Sequence, residues 1–183
     1  PMKNIYSWCY IMAFLSFFYC AVPLFAQTFP TKQALPYAQN FNGLATSSVV
    51  YPDGFQGWIV STAVSSLFNT NANVGVDSAL APDGTAFTGS GNIYNYDGKI
   101  GFLNTGKLDL AIGFAFDATN QKAIQIQYDA MTIRNPYDEA ANNTRINEMV
   151  LQYRVGTGSP FISLLATAYT NNNEKQITAV TIP

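Results

Sequence analysis

Large side chains recur at every second position from 108 to 116: Leu108, Leu110, Ile112, Phe114 and Phe116 alternate with Asp109, Ala111, Gly113 and Ala115. A helix would spread those five residues around its circumference. A strand puts all of them on one face, so the pattern predicts a strand packed on a core. The same period returns twice. In residues 122–133, Ile124, Ile126, Tyr128 and Ala130 stand opposite Gln125, Gln127 and Asp129. In residues 148–155, Met149, Leu151, Tyr153 and Val155 stand opposite Gln152 and Arg154. Such alternation belongs to antiparallel sheets with one solvated face. The polar face of residues 122–133 is expected to meet solvent or to line a groove.

Asp97-Gly98, set between Asn92-Ile93-Tyr94-Asn95-Tyr96 and Lys99-Ile100-Gly101-Phe102-Leu103, is the pair a two-residue hairpin turn favours, because both turn positions need positive φ. Further short strands are predicted around residues 57–60, 86–88, 161–165 and 176–182, with surface loops over 135–147 and 169–175. Many short strands without a helical pattern between them predict an all-β fold, a two-sheet antiparallel jelly-roll sandwich. Residues 176–182 read as a strand in progress, so the sandwich is expected to be truncated at its C-terminal end.

The first 26 residues follow another logic. Lys3 precedes an almost wholly apolar run over 10–24, closed by Phe25 and Ala26, the order of a secretory signal peptide with cleavage after Ala26. The run is shorter than the ~20 residues of a spanning helix and Pro23 interrupts its end, so no membrane span is expected after cleavage. Residues 27–34 then read as a linker and residues 35–183 as the β-sandwich module, secreted or at the cell surface.

Both cysteines, Cys9 and Cys20, lie in the leader, and histidine is absent. Disulfides, thiol nucleophiles, the usual general base and the commonest transition-metal ligand are thereby removed from the mature chain. Without Lys3, eight basic residues face eleven acidic ones, a net charge of −3, which argues against a nucleic-acid partner. A domain of this size buries roughly 68–70% of its unfolded surface, enough to fold without disulfides.

Leu35-Pro36-Tyr37-Ala38-Gln39-Asn40-Phe41-Asn42-Gly43-Leu44, the Gly57-Trp58 pair, residues 92–103 and residues 127–137 together resemble the jelly-roll, concanavalin-A-like module at the start of large secreted and cell-surface proteins of Bacteroidota-type bacteria. The resemblance covers nearly the whole mature chain and includes Leu151-Gln152-Tyr153-Arg154-Val155-Gly156. It implies an adhesion or glycan-binding domain placed ahead of other domains, in hosts that commonly leave the cell by the type IX route. It carries no catalytic motif. A sorting domain and the family's Trp-Arg closing strand are not seen in this sequence.

Sugar rings present apolar faces that stack on aromatic rings. Trp58, Tyr128 and Tyr153 are assigned to the core, while Tyr94, Tyr96 and Tyr137 are expected to be exposed and to form the ligand-binding set with Asp129. Asp129 is also read as a solvated strand residue or a partner of Arg134. No cofactor is expected. Asp77, Asp83, Asp97, Asp138 and Glu139 lie in loop-like segments, which leaves a structural calcium open, although Asp-Gly pairs are ordinary turn chemistry. Asp77-Ser78-Ala79 resembles an O-glycosylation acceptor of these bacteria. The leading expectation is a non-catalytic extracellular binding or adhesion module whose partners are glycans or cell-surface components, with further domains of the same chain beyond it. The alternatives are a structural spacer presenting a downstream domain and a jelly-roll glycosidase, the latter needing two facing carboxylates.

Overall fold

The computed structural model describes residues 27–61, 68–71, 74–85, 87–105, 108–133, 146–171 and 175–182. The leader lies outside the described residues, as do Arg134, Tyr137, Asp138 and Glu139. The protein is all-β: the described residues form nine strands and no helix, hence none able to cross a membrane. The strands are β1 (Phe55–Ser61), β2 (Val76–Ser78), β3 (Asn92–Asn95), β4 (Ile100–Leu103), β5 (Asp109–Phe114), β6 (Ile124–Ala130), β7 (Glu148–Tyr153), β8 (Ile162–Thr170) and β9 (Gln176–Ile182). They pair as four antiparallel sheets, in the orders β2-β1-β5, β3-β4, β6-β9 and β7-β8.

The alternation over 108–116 becomes β5, and its register on β1 shows what each face meets. Directly paired residues share a face. Phe55 pairs with Phe114, Gly57 with Ile112 and Ile59 with Leu110, whereas Trp58 pairs with Ala111. On the large-residue face Phe55 and Phe114 lie with ring centroids 4.9 Å apart. The small-residue face is covered as well. A Cβ on Gly113 would strike the six-membered ring of Trp58, so glycine there is the space the indole occupies. Trp58 is 4% exposed, and its Nε1–H donates to the Thr28 carbonyl at 3.3 Å.

That last bond draws in residues 27–34, expected to be a linker. They are tied to the sheet at both ends. The Thr28 amide donates to the Asp77 carboxylate at 3.0 Å, and Gln33 forms a parallel bridge to Phe116, donating to the Ala115 carbonyl and accepting from the Asp117 amide. Asp77 thus lies in strand β2, not in a loop.

The opening Leu35–Leu44 sequence supplies aromatic pegs for the large-residue face. Tyr37 sits 4.5 Å from Phe114 and Phe41 meets Phe55 edge-on at 5.3 Å. Phe41 takes a φ of 59°, costly for a bulky residue. The side chains of Gln39 and Asn40 hold the turn by accepting from the Phe41 and Asn42 amides at 2.7 and 3.1 Å.

The 92–103 hairpin forms as expected. Asp97 and Gly98 have φ of 55° and 76°, and the Tyr96 amide closes the turn on the Lys99 carbonyl at 2.8 Å. One hairpin face is core: Ile93 and Asn95 are fully buried. Ile93 reaches over Gly57, where a Cβ would meet both its Cδ1 and the Tyr51 hydroxyl. Asn95 Nδ2 donates to the Ala45 carbonyl at 2.6 Å, stitching the loop after the opening sequence to β3. The opposite face carries Tyr94 and Tyr96.

β6 keeps the predicted parity, with Ile124, Ile126, Tyr128 and Ala130 on the shielded side and Gln125, Gln127 and Asp129 exposed. Its partner β9 spans residues 176–182 as predicted. The β7-β8 pair departs from its forecast. β7 is half-buried from Met149 to Tyr153 on both faces, and on its polar side Gln152 Nε2 donates to the Asn69 carbonyl and Ser163 Oγ at 3.0 and 2.9 Å. Val155, assigned to the core face, lies past the strand end and is 82% exposed. Met149 pairs with Tyr169 and Leu151 with Leu164, so residues 165–168 bulge opposite Val150. The buried Thr167 hydroxyl replaces the missing rung, accepting from the Leu151 amide at 3.0 Å and donating to the Leu164 carbonyl at 2.7 Å. Tyr169, placed in a loop by its polar neighbours, is a buried strand residue whose hydroxyl meets Thr132 Oγ1 at 2.8 Å. The strand expected over 86–88 is instead a turn: the Thr88 amide donates to the Thr85 carbonyl, and the Thr85 amide to Thr88 Oγ1. Threonine hydroxyls offer the backbone that local alternative. Ala86 lies outside the described residues.

Candidate functional site

Three remote segments meet beside the outer face of the β3-β4 hairpin. Gly84 and Thr85, Tyr96 and Lys99 at the turn, and Met131 and Ile133 just past β6 line a shallow groove of about 210 Å³. Met131 and Ile133 form an apolar rim, 48% and 40% exposed.

Tyr96 is the floor, and its position is set by glycines on both sides. A Cβ on Gly84 would lie 2.9 Å from the Tyr96 ring, and one on Gly101 would lie 2.7 Å from it. Tyr94 pairs with Gly101, and its ring stands 5.8 Å from that of Tyr96 at 57°. The two tyrosines differ in how they are used. Tyr94 donates its hydroxyl to the Ser90 carbonyl at 3.0 Å, a structural bond. The Tyr96 hydroxyl has no protein partner among the described residues. Burial, and then the neighbouring Tyr94, push the Tyr96 phenol above its ordinary range, so at neutral pH it stays protonated and donates.

Lys99 is exposed and forms no ion pair among the described residues. Thr85 Oγ1 accepts the Phe87 amide at 3.2 Å, which leaves its hydroxyl hydrogen for a ligand or for Thr88 Oγ1 at 3.5 Å. The Gly84 amide is already spent on the Asn95 carbonyl at 2.8 Å. The groove therefore offers an ammonium, a phenol and an alcohol, and no carboxylate or side-chain amide lines it among the described residues.

No protein-family model, curated protein or solved structure matches the chain.

Of the residues singled out from sequence, Tyr94 and Tyr96 do come together, though both are half-buried, not exposed as expected. The close approach of the Gly84 and Gly101 backbones holds the Tyr96 ring down. Asp129 does not line the groove. It is exposed on the outer face of β6 with Lys175 Nζ 2.7 Å from Oδ2. Tyr137 lies outside the described residues. Asp77 binds Thr28, while Asp83 and Asp97 occupy turns with φ of 52° and 55°. No three metal-ligating side chains cluster among the described residues. Ser78, the glycosylation candidate, is buried, with its hydroxyl 3.1 Å from Asn92 Oδ1, so the folded chain does not present it. Sequence reasoning missed Gly84, Thr85, Lys99, Met131 and Ile133. The available clue was Gly101, a glycine inside a strand, which signals close approach by a neighbouring group.

Proposed function

We propose that this chain is a non-catalytic extracellular binding or adhesion module of a larger secreted or surface protein, and that it holds glycans in the Tyr96 groove. The scaffold in this reading is a jelly-roll sandwich of the concanavalin-A-like kind, exported by the 1–26 leader. The observation that carries the reading is the Tyr96 ring. It is seated on two glycines, keeps its hydroxyl without a partner among the described residues and is bordered by Met131 and Ile133. An aromatic face with a polar tip at the floor of a shallow groove suits a sugar ring, which is apolar across its face and polar around its rim. The absence of histidine and of cysteine beyond the leader supports binding over nucleophilic or acid-base chemistry through those groups.

A screen of the purified protein against diverse oligosaccharides tests this. Tyr96→Ala is expected to abolish binding by removing the platform, and Gly101→Ala to weaken it about tenfold by lifting the ring. Binding to no saccharide would overturn the proposal and favour a spacer that presents a neighbouring domain.

A further inference from the structure

We infer that the Tyr96 groove selects acidic saccharides, with a sugar carboxylate accepting from the Lys99 ammonium and the Tyr96 hydroxyl while the ring face lies on the Tyr96 ring. The inference rests on the glycan-binding reading and deepens it by naming the ligand class.

A neutral sugar presents hydroxyls that both donate and accept, and a site for it needs acceptors such as Asp, Asn or Gln. Among the described residues that line this groove, Gly84, Thr85, Tyr96, Lys99, Met131 and Ile133, there is none of those. Its polar side chains are the Lys99 ammonium, which can only donate, and the Tyr96 and Thr85 hydroxyls, which donate as well as accept. Among the described lining residues Lys99 is the one charged side chain, and no described carboxylate pairs with it. The contrast with Lys175, held by Asp129 at 2.7 Å, shows what a committed lysine looks like on the same protein. A carboxylate is acceptor-only when ionised and takes several donors at once. The remaining lining is apolar and suits the unsubstituted face of a pyranose.

Titration calorimetry with trigalacturonic acid and with its methyl ester tests the inference, because the two ligands match in shape and differ in charge. The acid is expected to bind about tenfold more tightly than the ester, and that margin is expected to shrink with added salt. Lys99→Gln, an exposed change that leaves the unfolding midpoint in place, is expected to bring the acid down to the ester's affinity. Equal affinity for acid and ester, with both lost in Tyr96→Ala, would overturn acidic selection and leave the glycan reading standing. Failure of both ligands together with every neutral oligosaccharide would overturn the two readings at once.

Discussion

β5 and β6 share a period of two, yet only one of them leaves a face to solvent. In β5 the residues between the large ones are Ala111 and Gly113, and the face they make is covered by Trp58. In β6 they are Gln125, Gln127 and Asp129, all exposed. Parity says which residues travel together; the size and polarity of the alternate set say whether something lies on top of them. Small residues mark a face that another ring covers, and polar ones mark a face left to water.

Trp58→Ala should separate the two faces most strongly. It empties the space over Ala111 and Gly113, and a loss of about 3–5 kcal/mol in denaturant unfolding is expected for a buried tryptophan. Gly113→Ala approaches the same contact from the other side, forcing the indole away at a cost of about 1–3 kcal/mol. With the leader removed Trp58 is the sole tryptophan, so a red shift of its emission in Gly113→Ala would report the displacement directly.

A smaller, pH-dependent effect is expected at Asp109, which shares the parity of Ala111 and Gly113. Burial raises its carboxyl above the ordinary value. Between the ordinary and the raised value the folded chain binds more protons than the unfolded one, so this group makes stability fall as pH rises through that window. Asp109→Asn is expected to flatten that slope in unfolding curves taken across mildly acidic pH. Smallest of all, Gln127→Ala on the open face of β6 is expected to move stability by no more than about 0.5 kcal/mol. A larger loss would mean that this face is covered too.

The same physics sets how much could be read in advance. Strands β1, β3 to β6 and β9 were legible because parity and turn chemistry are local, and Asp97-Gly98 fixed its hairpin for the same reason. β2 was too short to show a period. The Thr167 bulge was hidden because a buried hydroxyl standing in for a ladder bond leaves no mark on alternation. The groove was half legible: Tyr94 and Tyr96 share a face by spacing. Lys99, Thr85 and Met131 join them only through the approach of segments far apart in the chain, and Gly84 and Gly101 matter for the side chain they lack.

Amide chemical-shift mapping during titration with trigalacturonic acid tests the binding claim most directly, since it sets the groove against the polar β6 face. Shifts are expected to gather at Gly84, Thr85, Tyr96, Lys99 and Gly101 and to leave Gln125, Gln127 and Asp129 unmoved. Shifts centred on Gln125, Gln127 and Asp129, with Tyr96 and Lys99 unchanged, would contradict it.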